Sequence, residues 1–347
     1  MSDVSSPPLV AHIVFRFDFG GLENGLVNLI NHMPPSRARH VVIGLSQVTE
    51  FASRIKRDDV EVYAIGKKPG KDPGAYARLF ALLRRLRPDI VHTRNVGTLD
   101  CQVVALLAGV RRRVHSEHGW DVADQEGRNT KYLALRRALS IFVHQYVALS
   151  QELEQWLIED IRVPRNRVTR ICNGVDTTRF KPVRKRESKP DRVVLGTVTR
   201  FSEIKDPLNT LRAFARLKES VGSRLNVRLI MVGDGPLMET VKREIAERNL
   251  GSDVCLPGSQ LDVAPWLDQM DLFVMGSRRE GISNTILEAM AAGLAVVATR
   301  TGGNLEIVEA LLLHPLASGR AGHALDGDAA KLVTASEQID ELRGERA

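Results

Sequence analysis

Two glutamates, Glu280 and Glu288, stand eight positions apart in the stretch from Ser277 to Glu309, SRREGISNTILEAMAAGLAVVATRTGGNLEIVE. Between them, Gly281 to Thr285 reads as a turn into a helix, and Glu288 falls inside that helix. A buried strand, Ala295 to Thr299, and a Gly-Gly turn follow. One acid therefore sits at the mouth of a strand-to-helix turn and the other about one helical turn further on. Both are expected to point into one crevice, beside the free backbone N–H groups of a helix start, Ile282, Ser283 and Asn284 among them. Carboxylates hold hydroxyls by charge-assisted hydrogen bonds, and helix-start amides hold phosphate. The segment suits a polar, phosphate-bearing ligand rich in hydroxyls.

Other residues with chemistry lie at strand ends. Arg200 and Lys205 follow the apolar run VVLGTV (193–198) and so fall at the carboxyl end of a buried strand. Paired cations there would neutralise an anionic, phosphate-bearing group. Gly20 and Gly21 directly follow the first strand, where glycine permits close backbone approach and tolerates positive φ. They do not form a G-x-G-x-x-G fingerprint, which argues against a dehydrogenase. His118 ends a strand and precedes Gly119-Trp120-Asp121, whereas His115 sits mid-strand and reads as packing. Trp120 either stacks on a sugar ring or packs. Asn173-Gly174-Val175-Asp176 reads as a turn, and Gly233-Asp234-Gly235-Pro236 as a tight turn into a helix capped by Pro236.

The elements that must position these residues alternate. LVAHIVF (9–15), HVVIGL (40–45), VEVYAI (60–65), DIVH (89–92), RVHSEH (113–118) and QYVALS (145–150) read as buried strands. Between them lie amphipathic segments such as Ala75 to Leu86, with Leu79, Phe80, Leu82, Leu83 and Leu86 on an apolar face and Pro88 as its stop. Such alternation predicts parallel sheets covered by helices. Lys181 to Asp191, KPVRKRESKPD, is basic and bounded by prolines and reads as a linker. A second series follows at 193–198, 227–233, 271–276 and 294–299. Two such domains facing each other would leave a cleft at the carboxyl ends of their strands, where open α/β sheets bind ligands.

A length of 347 residues fits two domains, and 43% hydrophobic with 26% charged residues is the composition of a soluble globular protein. Cys101, Cys172 and Cys255 lack metal spacing and read as reduced, buried thiols of a cytosolic protein. The polar Met1 to Pro8 has no signal-peptide pattern, and no apolar run reaches the ~20 residues of a membrane span. The net charge is +7. Basic clusters at 84–85, 111–113, 136–137 and 184–189 read as solvated surface, or as weak attraction to anionic headgroups. No nucleic-acid motif is present and the arginines are not interleaved with aromatics, so nucleic acid is not an expected partner.

With these pieces in order, the chain resembles the retaining, nucleotide-sugar-dependent glycosyltransferases of family 4. The Glu280–Glu288 spacing is similar to their E-x7-E signature, and Gly20-Gly21-Leu22-Glu23 to their N-terminal glycine loop. Asn173 to Asp176 with Phe180 resembles an NGVD-x3-F segment. Gly196 to Lys205, GTVTRFSEIK, resembles the strand whose Arg and Lys hold the donor pyrophosphate. Gly233 to Pro236 and Leu256-Pro257-Gly258 also fall in family order, so the likeness runs from about residue 9 to 309.

The resemblance implies an α/β protein of GT-B fold, two Rossmann-like domains with parallel sheets. Residues 1–180 would form the acceptor-side domain, 181–191 the linker and 192–347 the nucleotide-sugar domain. From Ala310 the tail lacks a clear version of the family's Gly-containing strand, although 328–343 reads as a helix. By resemblance Glu288 accepts from the ribose hydroxyls, Glu280 from the transferred sugar, and His118 lies near the reacting sugar. Gly20 and Gly21 lie against the donor, with Glu23 fixing their helix, and Leu256 packs on the nucleobase. Asn173 and Asp121 are adjacent to the cleft. The catalytic set would be His118, Glu280, Arg200 and Lys205. No cofactor or metal is implied, and Asp326-Gly327-Asp328 reads as a coincidental D-x-D.

The expected partners are a UDP- or GDP-sugar donor, a glycan or lipid-linked acceptor and a peripheral membrane contact at the inner face of the plasma membrane. The bacterial exopolysaccharide transferases are the nearest group in likeness. A nucleotide-sugar epimerase on the same fold, or a relative that binds nucleotide sugar without turnover, are the alternative readings.

Overall fold

In the computed structural model the described residues are 6–120, 124, 127–182, 192–312 and 323–325. The chain divides into two compact units, Met1–Asn173 and Gly174–Ala347. Each is built on a parallel sheet, as the alternation predicts.

The first sheet comprises β1 (Leu9–Phe17), β2 (Arg39–Val48), β3 (Glu61–Ala64), β4 (Ile90–Arg94), β5 (Arg112–Glu117), β6 (Gln145–Ala148) and β7 (Val168–Arg170). Their spatial order is β3-β2-β1-β4-β5-β6-β7, every neighbour parallel. The order reverses between β1 and β4, which places the Gly20-Gly21 turn next to the end of β4. Ala11, Ile13, Val41, Ile43 and Val91 bury one face of the central strands against Leu79, Leu82 and Leu83. Those leucines belong to the Pro73–Leu86 helix. Asp72 caps its start by accepting from the Ala75 amide, and Arg87 ends it in the left-handed region at φ 47°. Pro88 disfavours helical geometry at the residue before it, so the stop is as expected. Phe80 is not on the buried face but 39% exposed.

The second sheet comprises β8 (Arg192–Val198), β9 (Asn226–Val232), β10 (Val254–Gly258), β11 (Leu272–Met275), β12 (Ala295–Thr299) and β13 (His323–Leu325). Its order is β10-β9-β8-β11-β12-β13, again parallel. Leu211, Phe214 and Leu217 from the Pro207–Val221 helix pack with Leu195, Leu229 and Val274 as its core. β7 and β10 were not expected. β7 is three residues long, and β10 contains Pro257, so neither carries a clean strand pattern. β13 falls in the tail that showed no clear strand.

Two further expectations are corrected. Cys101 is buried, but Cys172 and Cys255 are exposed, because Cys172 lies beyond β7 and Cys255 on the edge strand β10. The helix after the Gly233–Pro236 turn starts at Met238, two residues beyond Pro236, so Pro236 belongs to the turn. Asp121, most of the expected linker (183–191), Asp326 to Asp328 and the 328–343 segment lie outside the described residues. Among the described residues no helix is long and apolar enough to cross a membrane.

Candidate functional site

In the C-terminal unit, β11 ends at Met275 and the Asn284–Ala291 helix begins after an intervening connection, residues 276–283. Glu280 sits in that connection and is 5% exposed. Two groups hold its carboxylate. Lys205 Nζ donates to Oε2 at 2.5 Å, and Ser277 Oγ donates to Oε1 at 2.7 Å. The ion pair joins the loop after β8 to the loop after β11, two strands that are neighbours in the sheet. Thr299, the last residue of β12, donates to the Ser277 carbonyl at 2.5 Å and pins the same loop from the other side. Glu288 lies one turn into the helix and is 4% exposed. Ser283 is the N-cap, its hydroxyl accepting from the Ile286 amide at 3.4 Å. Ile282 and Ser283 are buried and Asn284 opens the helix.

The loop carrying Arg200 and Lys205 is shaped by a close backbone approach. Gly233 and Gly235 have φ of 136° and 156°, and a Cβ on either would overlap the Thr199 or Phe201 carbonyl oxygen. The Phe201 amide donates to the Asp234 carbonyl at 2.9 Å. Asp206 caps the following helix and accepts from Arg278 Nε at 2.7 Å. Arg200 is exposed, while Lys205 is turned onto Glu280. A Cβ on Gly303 would likewise overlap the Gly281 carbonyl oxygen, so the Gly-Gly turn after β12 closes on the Glu280 loop. Leu256 packs partly buried against the core of this unit.

The N-terminal unit places its candidates at the carboxyl ends of β1, β4 and β5. Gly20 precedes the Gly21–His32 helix with φ −171°, so its need for glycine is not a positive φ. A Cβ there would overlap the Glu23 carboxylate, which folds back on the turn. His118 follows β5 and its amide donates to Asn95 Oδ1 at 2.8 Å. Burial, then the Arg94 and His115 charges, hold its imidazole well below the usual histidine range, so it is neutral at pH 7. His115 is fully buried between Thr93 Oγ1 at 2.8 Å and Glu117 Oε1 at 3.4 Å, the packing role expected of it. Trp120 packs edge-on against Trp156 and over Gly127. Asn173 ends the first unit, and Asp176 Oδ1 caps the Thr178 and Arg179 amides of the turn beyond it.

Residues 192–338 match the family described as "Glycosyl transferases group 1", and residues 19–179 match "Glycosyltransferase Family 4". The chain belongs to the group 1, family 4 glycosyltransferases. It is accordingly a retaining glycosyltransferase of GT-B fold that uses a nucleotide sugar. The chain is 26% identical to the glycosyltransferase named EpsF of Bacillus subtilis (strain 168) over 313 residues, 84% of this chain and 79% of that protein. It is 29% identical over 248 residues to an Escherichia coli UDP-Gal:α-D-GlcNAc-diphosphoundecaprenol α-1,3-galactosyltransferase, 67% of this chain and 63% of that protein. Anabaena Alr3699/HepE, solved with UDP-glucose, shares the fold at a TM-score of 0.77 and 21% identity, over 97% of this chain and 91% of that one.

Sequence reasoning on this glycosyltransferase missed Ser277, Thr299 and the Arg278–Asp206 pair, which hold the Glu280 loop. It also missed Arg94 and Asn95 beside His118. The available signal was HTRN at the end of a predicted strand, a run of polar residues where the chain should leave a buried sheet.

Proposed function

We propose that this glycosyltransferase moves a hexosyl group from a UDP-sugar to a phosphate-linked lipid or glycan acceptor in surface polysaccharide synthesis. The C-terminal unit binds the donor and the N-terminal unit the acceptor. The carrying observation is the Lys205–Glu280 pair set beside a capped helix start, with Glu288 buried one turn on. In this reading Glu288 accepts from the ribose hydroxyls and Glu280 from the sugar hydroxyls. Arg200, Lys205 and the amides of Ile282 to Asn284 take the diphosphate. Leu256 flanks the base. The UDP-glucose of the HepE complex and the diphospholipid acceptor in the name of the Escherichia coli relative support the choice of ligand classes.

The acceptor oxygen forms its bond to the anomeric carbon on the face from which the diphosphate departs. The anomeric C–O bond breaks, UDP leaves with the bonding pair, and its terminal phosphate takes the acceptor proton. Arg200 and Lys205 stabilise the charge that grows on that phosphate. The enzyme works in the cytoplasm, with its basic clusters on anionic lipid.

Calorimetry and thermal shift with UDP, GDP, ADP and their sugars, without added metal, test this directly. Selective stabilisation by UDP is expected, and indifference to every diphosphate would remove the donor site. Transfer with retained configuration is expected when acceptor is supplied. An epimerised nucleotide sugar formed without acceptor would identify an epimerase instead.

A further inference from the structure

Arg94 is the last residue of β4, at the point where the strand order of the first sheet reverses. It is 4% exposed. One of its three guanidinium nitrogens, Nη2, lies 3.3 Å from His12 Nδ1 and 3.4 Å from His92 Nδ1. The other two, Nε and Nη1, are buried with no hydrogen-bond partner among the described residues. No carboxylate there lies within ion-pair distance. Glu23, in the first turn of the Gly21–His32 helix, is the acid whose field reaches it. The backbone around it is fixed, since Thr98 Oγ1 accepts from the Arg94 amide at 2.8 Å and donates to its carbonyl at 2.7 Å.

Beside it, His118 Nε2 is also buried without a partner, its backbone held by Asn95. Asn95, which accepts from the His118 amide, directly follows Arg94, and Arg94 pairs with Ser116 of β5, so the two residues lie at adjoining strand ends. A guanidinium keeps its charge at any working pH, and buried N–H groups are almost always satisfied. Here the fold isolates three unmet polar atoms at one sheet edge, two of them donors of a cation. Neutral histidines surround the cation in place of a counter-ion. A nitrogen of neutral His118 can carry the third donor, depending on its tautomer.

We infer that Arg94 and His118 form an oxyanion subsite of the N-terminal unit, and that it takes a phosphoryl group carried by the acceptor. The inference rests on the glycosyl-transfer reading. The donor diphosphate is accounted for by Arg200 and Lys205 of the other unit, which leaves this cation for a second phosphate. The planar fork of Arg94 matches two phosphoryl oxygens at once, and the surrounding burial strengthens each contact.

The test uses the full chain saturated with UDP, so that the donor site is filled. Inorganic phosphate is titrated while the His118 ring signals are followed by NMR. A saturable shift is expected, weakened roughly ten- to hundred-fold in Arg94→Gln and less in Arg94→Lys, which keeps the charge but not the fork. Absence of a His118 shift, or an equal shift in Arg94→Gln, overturns the subsite. Steady-state assays then compare a glycosyl phosphate acceptor with its dephosphorylated form. Arg94→Gln should raise KM for the phosphorylated acceptor alone and leave KM for the donor unchanged. A raised donor KM instead would mean that the anion is the donor's, and the acceptor assignment falls. Loss of UDP binding by the wild-type chain would sink the donor reading, a different failure. Should Arg94→Gln not fold, Arg94→Lys and the phosphorylated-acceptor comparison carry the same decision.

Discussion

Glu280 is a buried carboxylate whose two oxygens are each held by one side chain, Lys205 on one and Ser277 on the other. Glu288 is as deeply buried but sits on the helix, where its position follows the backbone. The two acids should therefore respond differently to removal. Glu288→Ala is expected to weaken UDP binding by about 1–3 kcal/mol, the worth of a charge-assisted hydrogen bond. Calorimetry reads this directly, and unchanged affinity would take Glu288 out of the site. Lys205→Ala should lower kcat more than it weakens UDP binding, because charge on the phosphate grows in the transition state. Equal losses in kcat and in affinity would reduce Lys205 to a ground-state contact. The acids were legible in the sequence because their spacing fixes both relative to one helix. Ser277 was not. A serine after a strand has many uses, and only the folded loop brings it within 2.7 Å of Glu280. The pairing of Lys205 with Glu280 spans 75 residues of sequence and was equally hidden.

At the scale of elements, strands and helices were readable wherever an apolar run was long and bounded by turn residues. The order of the strands was not, since pairing β1 with β4 depends on which faces must be covered. Glycines gave turns but not their reasons. Gly233 reads as a generic turn residue, yet what it permits is contact between its turn and the Thr199 carbonyl. Gly233→Ala would combine a positive φ with that overlap, and destabilisation of about 1–3 kcal/mol is expected. The strain falls on the loop that carries Arg200 and Lys205, so UDP affinity should fall as well. Gly222→Ala provides the comparison, since Gly222 also has a positive φ but nothing within 4 Å of the added carbon. Urea melts with and without UDP separate the two effects. Equal behaviour of the two variants would mean that φ alone matters at Gly233.

The two units differ as wholes in how they hold titratable groups. His12, His92 and His118, on or just beyond strands of the first sheet, are held well below the ordinary histidine range. Burial is the largest cause, and the Arg94 charge adds to it in each. His40 and His144 are lowered too, by burial and by Arg57 and Arg113 respectively. The stretch from 192 to 308 contains no histidine. In the unfolded chain each imidazole titrates near ~6.5. Below that pH the unfolded state binds protons that the folded N-terminal unit refuses, so stability is lost as pH falls from about 6.5 toward the folded values. The slope approaches about 1.4 kcal/mol per pH unit for each fully suppressed histidine. The lowered carboxylates of the C-terminal unit, Glu244 and Asp253, act only at lower pH, below about 4.5. Hydrogen exchange at pH 7.5 and 5.5, corrected for intrinsic rates, should thus show β1, β4 and β5 losing protection while β8, β9 and β11 keep theirs. Saturating UDP should add protection chiefly to the second group, by RT ln(1 + [L]/Kd). Equal acid sensitivity of both sheets would mean that the units unfold as one, and that the buried histidines do not set the acid limit of either.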